Sequence, residues 1–168
     1  RFNSVTGDLE KLITRNTTNA YANPGQPLTT PNQYGKNVLL TIDNGNKIIF
    51  NNTTGSSPKG DLPFLMSFDV HKKKADTLWR SPEGYFEYVV KLLDAGKLSL
   101  VTRKESEKDM PNYWLKNLRL RIADRQLTAF TNPYPQMEGV SKEKIKYKRA
   151  DGVDLTGDLY LPKGYNKE

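Results

Sequence analysis

Short runs of alternating apolar and polar residues, each closed by turn chemistry, succeed one another along this chain. Alternation with a period of two puts one set of side chains on each face of a strand, so the pattern predicts β-structure from end to end. Arg1 to Val5 and Leu9 to Thr14, on either side of Thr6-Gly7-Asp8, read as a hairpin. Residues 16 to 37 are rich in Asn, Thr, Pro and Gly. Within them Asn23-Pro24-Gly25-Gln26-Pro27 reads as an irregular connection, because proline has no N–H to give to a central ladder. Val38 to Ile42 and Lys47 to Asn51 flank Asp43-Asn44-Gly45, a strong hairpin signal, since the tight turn needs positive φ at both central positions. A polar tip from Asn52 to Gly60 leads into strands at Pro63 to Val70 and Ala75 to Arg80, joined by Lys72-Lys73-Lys74.

The same succession then begins again, with strands expected at Tyr85 to Leu93, Lys97 to Arg103, Asn112 to Leu120 and Gln126 to Phe130. Tyr85, Tyr88, Val89, Leu92 and Leu93 fall at helical spacing, and the run is assigned to a strand because its place in the repeat demands one. Laying the halves over each other pairs Pro63 with Pro111, 48 residues on, and Leu78 with Leu127, 49 residues on. A period of about 40 to 50 residues carrying four strands is the signature of a β-propeller blade, a small antiparallel sheet that buries its faces only against neighbouring blades. The expected fold is therefore all-β: a fragment of a β-propeller with four-stranded antiparallel blades at residues 38–81 and 85–131, and a partial blade from Arg1 to Thr14. A single β-sandwich of unrelated meanders is the alternative.

Composition narrows the chemistry. A length of 168 residues suits one domain or a piece of a larger one. There is no cysteine, which removes disulfides, thiolate metal sites and a cysteine nucleophile together, and the one histidine, His71, has no ligand spacing around it. No cofactor or metal is expected. The longest apolar run is a handful of residues and no apolar leader precedes Arg1, so neither a membrane span nor a signal peptide is visible. A net charge of +7 invites a nucleic-acid reading. The lysines, however, fall at expected turns and alternate along Lys142, Lys144, Lys146 and Lys148, as solvated faces and protected strand edges do. No nucleic-acid or membrane partner is expected.

Several stretches carry a family resemblance. "LVTRKESEKDMPNYWL" (Leu100 to Leu115) is similar to the last propeller blade of serine peptidases of the prolyl oligopeptidase family, where a Glu-Ser pair precedes a Pro-Asn-Tyr strand start. "LTAFTNPYPQMEGVSKEKIKYKRADGVDLTGDLYLPKGY" (Leu127 to Tyr165) resembles the junction at which the propeller returns to the catalytic domain. "YANPGQP" (Tyr21 to Pro27) and "TGSSPKGDLPFLMSFDV" (Thr54 to Val70) resemble the glutamyl endopeptidase branch of that family. The resemblance implies residues 1–135 as the C-terminal blades of a propeller. It implies 136–168 as a linker and the first strands of a truncated α/β-hydrolase domain, with Tyr147 to Leu161 a loosely attached hairpin. It also implies a secreted or periplasmic parent whose partners are its own hydrolase domain and a peptide substrate, the propeller gating access.

The family's chemistry needs a serine in a Gly-x-Ser-x-Gly turn, followed by Asp and His. None of the serines, at 4, 56, 57, 67, 81, 99, 106 and 141, has glycines two places before and after, and Gly55-Ser56-Ser57-Pro58-Lys59 lacks the second glycine. No catalytic residue is therefore assigned, and the chain alone is expected to be inactive. Glu83 with Glu87, or Asp61 with Asp69, could be drawn as acid-base pairs, but carboxylates scattered on a β-surface are expected to be solvated or lysine-paired. Trp79 and Trp114 are expected between blades. Asn16-Thr17-Thr18 and Asn51-Asn52-Thr53 match the glycosylation sequon. A peptidase preferring glutamate needs a cation for the substrate carboxylate, for which Arg80, Arg103, Arg119 and Arg149 are the candidates. Cut from a ring, the blades should self-associate through exposed edges. The reading from a different class is a free-standing basic β-domain that binds polysaccharide or a protein partner.

Overall fold

The computed structural model describes residues 1–120 and 122–166. Four short strands come first: β1 (Gln26–Pro27), β2 (Thr29–Pro31), β3 (Asn37–Leu39) and β4 (Thr41–Ile42). β5 (Lys47–Asn52) follows, and the polar tip folds into a small ribbon of β6 (Ser56–Ser57) and β7 (Gly60–Asp61) before β8 (Phe64–Asp69) and β9 (Lys74–Arg80). The first sheet is antiparallel in the order β1-β5-β8-β9, with β4 also on β5. β1 and β4 share one edge of β5: Gln26 and Pro27 lie opposite Asn51 and Phe50, while Thr41 and Ile42 lie opposite Ile48 and Lys47. Between these pairings the β2–β3 hairpin branches away from the sheet.

This corrects the expected strand from Val38 to Ile42. That position is split between two segments, one from the stretch read as an irregular connection. Pro27 fits there because it lies on an edge strand, where its missing N–H leaves no ladder bond unmade. Gly25 enters this edge at φ +88°, and a Cβ there would lie 2.3 Å from the Asn51 carbonyl oxygen. Asp43-Asn44-Gly45 does form the tight turn: the Asn46 N–H donates to the Asp43 carbonyl at 3.1 Å, and Asn44 and Gly45 take φ +54° and +86°.

The second sheet is an antiparallel meander of β10 (Phe86–Asp94), β11 (Ser99–Glu105), β12 (Asn112–Asn117) and β13 (Arg125–Gln126). Residues 86–94 are extended despite their helical spacing, with Glu87 and Val89 turned to the inner face of the sheet. β12 ends at Asn117 because its side-chain oxygen accepts from the N–H groups of Arg119 and Leu120, closing a turn three residues before the expected end. Asp69 closes β8 in the same way, through His71 and Lys72. β8 and β12 therefore sit 48 residues apart from end to end. β13 is shorter than the expected Gln126 to Phe130, since residues 128–130 are held by side-chain bonds to Asn112 rather than by a ladder.

The two sheets stack through Ile49 and Leu65 of the first and Val89 and Leu100 of the second, all essentially sealed from solvent. Burial of this kind contributes about 1.5–3 kcal/mol per side chain. Asn51 adds a hydrogen bond across the interface, from Nδ2 to the Val89 carbonyl at 2.9 Å. Beside it, Glu87 is paired with Lys116 at 3.1 Å and accepts from Thr102 Oγ1 at 2.5 Å. The opposite face of the first sheet buries Ile48, Phe50, Met66, Phe68 and Val70, against which Leu12 packs. Burial on both faces explains why β5 and β8 read as nearly continuous apolar runs while β10 and β11 alternate.

The expected hairpin of Arg1 to Val5 with Leu9 to Thr14 closes over a shorter stretch: Phe2 bridges Leu9, Arg1 and Glu10 exchange backbone hydrogen bonds, and the Asn3 N–H donates to the Asp8 carbonyl at 2.9 Å. The segment meets the apolar face through Leu12 and is tied to the first sheet by Glu10 to Lys73 at 3.0 Å, instead of extending a ladder. At the other end β14 (Ser141–Lys148) and β15 (Asp154–Leu161) form a two-stranded ribbon, longer than the expected Tyr147 to Leu161. The chain is all-β, and none of its antiparallel sheets is closed.

Candidate functional site

The loop after β11 is built around Ser106. Its Oγ accepts from the N–H groups of Lys108 and Asp109 at 3.2 and 3.0 Å and donates to Asp109 Oδ2 at 2.9 Å, and its backbone N–H donates to the Asp109 carbonyl at 3.1 Å, so one residue fixes the turn. Three adjoining cavities open around this loop, and Asp109 and Met110 belong to the lining of all three. The largest, about 780 Å³, separates the loop from the C-terminal ribbon and includes Asp61, Glu105, Glu107 and Asp158 among its acidic lining. Lys142 and Lys144 face them from β14. The Lys142 backbone N–H donates to Glu107 at 3.3 Å, which ties the ribbon to the sheet. Lys142 Nζ is 2.8 Å from Asp158, and that hydrogen bond holds the lysine above and the aspartate below its ordinary range.

On the other side of the loop lies a cavity of about 570 Å³ whose charge is the reverse. Lys104 and Lys108 face Asp109 there, among Tyr85, Trp114 and Phe130. Lys104 Nζ sits 4.0 Å from the centre of the Tyr85 ring and 5.4 Å from that of Trp114. The wall is fixed by Asn112, buried at the start of β12: its Oδ1 accepts from Thr128 Oγ1 at 2.8 Å and from the Phe130 N–H at 2.7 Å. Thr128 Oγ1 in turn accepts from the Tyr113 N–H at 2.9 Å. The pocket is thus preformed by a side-chain clamp where the sheet ladder has ended.

The residues weighed from sequence are not brought together here. Glu83 is an exposed partner of Lys59 at 2.5 Å, while Glu87 is deep between the sheets. Asp61 lines the large cavity, whereas Asp69 caps the turn at the far end of the first sheet, where backbone donation, chiefly from Lys72, lowers its pKa. His71 lies in that far turn too. Arg80 donates to the Leu62 carbonyl at 3.2 Å and covers the Phe64 ring; Arg103 pairs with Glu105 at 3.0 Å; Arg149 makes a bidentate pair with Asp151 at 2.7 and 2.5 Å. Arg119 belongs to the turn after β12, at the end away from the cavities. Trp79 packs into the inter-sheet core, whereas Trp114 lines the basic pocket. Of the two sequons, that of Asn51 is tied up by its bond to Val89, while Asn16 is exposed. Lys104 and Lys108 escaped sequence reasoning, although one signal was present. Lys104 follows Leu100 and Thr102 at the inward positions of β11, where a lysine is out of place unless it has a partner or a task.

The site therefore defines a β-sheet domain with a mixed-charge cleft at one end of two stacked sheets. The chain is 36 % identical to a probable chloroplastic glutamyl endopeptidase of Oryza sativa subsp. japonica over 166 residues, and 36 % identical to one of Arabidopsis thaliana over 168. Each match covers 92 % of this chain and 17 to 18 % of the relative, so the chain spans under a fifth of the length of the proteins it resembles. No family profile matches, and no solved structure does. Among the described residues no helix is long and apolar enough to cross a membrane.

Proposed function

We propose that this chain is the non-catalytic portion of a serine peptidase of the prolyl oligopeptidase type, with glutamyl preference. Its two stacked sheets are consecutive blades of a propeller that gates peptide access to an α/β-hydrolase domain. On this reading residues 1–135 are propeller and residues 136–168 open the hydrolase domain. The observation that carries it is the 48-residue offset between β8 and β12, two strands in the same place of successive antiparallel sheets stacked face to face. The similarity of almost the whole chain to two proteins named as glutamyl endopeptidases supports the same reading. The gating reading is supported by the position of the cleft, which lies at the end of the sheets to which the β14–β15 ribbon is tied. The parent is periplasmic or secreted on this reading, while the relatives' names place those proteins in the chloroplast. The isolated chain self-associates through its uncovered sheet edges.

The test is enzymatic. The 168-residue chain should neither turn over a fluorogenic glutamyl substrate nor label with an organophosphonate serine probe. A parent reading through Glu168 into a Gly-x-Ser-x-Gly segment should do both, and deletion of residues 1–135 from it should impair folding or admit larger substrates. Probe-sensitive turnover by the 168-residue chain would overturn the proposal.

A further inference from the structure

We infer that Asn44 is a site of spontaneous deamidation, and that the isoaspartyl product releases strand β4 from the first sheet. Asn44 is followed by glycine, as no other asparagine of the chain is. Glycine carries no side chain to hinder its nitrogen when that nitrogen attacks the preceding carboxamide. Local structure singles out the same residue. The side-chain oxygens of Asn16, Asn19, Asn32, Asn52 and Asn117 each accept from a backbone N–H two residues on, which pins their carboxamides. The Asn44 carboxamide has no hydrogen bond among the described residues; of the others in that state, Asn37, Asn46 and Asn166 precede valine, lysine and lysine. Asn44 and Gly45 are exposed, and a Cβ on Gly45 would meet nothing within 4 Å. Asp43 and Asn44 stand at φ +52° and +54°, a left-handed conformation that is unfavourable for residues with a Cβ. Swinging Asn44 out of it toward ring closure therefore relieves strain, and disturbs only the short pairing of Thr41 and Ile42 with Ile48 and Lys47.

Water is the only co-reactant. The Gly45 nitrogen gives its proton to solvent base and bonds to Asn44 Cγ; the Cγ–Nδ2 bond breaks and ammonia leaves, closing a cyclic imide. Water then opens the imide at Cγ, giving aspartate in the ordinary linkage, or at the main-chain carbonyl, giving an isoaspartyl link through Cγ. The isoaspartyl link inserts a methylene into the backbone of a tight turn. The Asn46 N–H then moves off the Asp43 carbonyl, and the Val70 N–H, which donates to the Asn46 carbonyl at 2.9 Å, loses its acceptor. Two residues of β4 cannot hold the edge without that turn. Departure of β4 bares the Lys47–Ile48 edge of β5 and opens the apolar cavity of about 410 Å³ lined by Leu12, Leu39, Ile48 and Val70. An edge uncovered in this way is a template for a strand of another copy. The modification is thus a slow, irreversible switch built into the turn.

The experiment ages the folded 168-residue chain at mildly alkaline pH and follows each asparagine by peptide mapping and mass spectrometry, with isoaspartyl methyltransferase marking the isoaspartyl product. Asn44 should convert ahead of Asn37, Asn46 and Asn166, with loss of ammonia, and Asn44→Gln, which needs a larger ring, should release none from this position in the same time. The rate should stay level in urea below the unfolding transition, because only the turn has to open. Hydrogen exchange then reads the consequence. In the isoaspartyl form the amides of residues 41–48 should lose protection while those of β8 and β11 keep theirs. Asn44→Asp, which carries the new charge on an unaltered backbone, should keep protection throughout. Asn44 converting no faster than the other three, or a rate that climbs with urea as global unfolding does, would overturn the site. Retained protection at residues 41–48 in the isoaspartyl form, or an equal loss in Asn44→Asp, would overturn the switch.

Discussion

Replacing Lys116 by methionine removes one charge from the most buried ion pair among the described residues while keeping most of the side-chain volume. Glu87 is 1 % exposed and Lys116 10 %, and the lysine stem lies in the inter-sheet region, with Nζ 6.0 Å from the Trp79 ring centre. In Lys116→Met the Glu87 carboxylate keeps only the hydroxyl of Thr102, because its second oxygen is sealed and accepts no hydrogen bond from the described residues. Stranding a buried charge in this way costs about 3–5 kcal/mol. Asp124, the other partner of Lys116, is 42 % exposed and regains water, so it adds little. Glu87→Gln is gentler: Lys116 retains Asp124, the amide oxygen can still accept from Thr102, and the loss is about 1–2 kcal/mol. With a slope of about 2 kcal/mol per molar urea, Lys116→Met moves the unfolding midpoint down by about 1.5–2.5 M. Urea unfolding followed by tryptophan fluorescence measures this. The double variant Glu87→Gln, Lys116→Met should be more stable than Lys116→Met alone, since the stranded charge has gone. The reasoning fails if Lys116→Met costs no more than Glu87→Gln, or if the double variant loses the sum of the two.

Gly55→Ala should cost more than about 2 kcal/mol in the same assay, because φ there is +63° and the new Cβ would lie 2.0 Å from the Leu62 carbonyl oxygen. Gly45→Ala, at φ +86° with open space around it, should cost about 1 kcal/mol, and equal losses would contradict the close approach. Asp69, Asp158, Asp151 and Glu10 are each held below the usual carboxylate range, by hydrogen bonds from the Lys72 backbone, Lys142, Arg149 and Lys73 respectively. Their contribution is therefore complete above the unfolded value of about 4 and lost as pH falls through the lower folded values. The urea midpoint should stay level down to about pH 5 and drop below about pH 4, less steeply in Asp69→Asn, and a midpoint unaffected by acid would refute this. Limited proteolysis should cut first at residues 135–140, before β14 begins at Ser141; protection there equal to that of β11 would count against a separable ribbon.

Much of this architecture was legible in the sequence because strand, turn and repeat are local statements. Asp43-Asn44-Gly45 fixes its hairpin through the φ values its residues tolerate, and the Pro63 to Pro111 spacing marks equivalent strand starts at Phe64 and Asn112. The repeat also overruled the helical spacing of residues 85–93, since an element that must pair with its neighbours takes the conformation its neighbours can bond. What the sequence could not state is which distant segment completes an edge or fills a face. The edge of β5 is shared by residues 26–27 and 41–42, Leu12 of the N-terminal segment packs on an apolar face, and residues 128–130 are held by one buried asparagine. These are competitions for hydrogen bonds and buried area among segments far apart in the chain, settled only when all are packed together. The same holds for charge. Twenty-six basic residues look interchangeable in the sequence. Tertiary packing alone buries Lys116 against Glu87, pairs Arg103 and Arg149 with their own near neighbours, and leaves Lys104 over two aromatic rings with an open cavity before it.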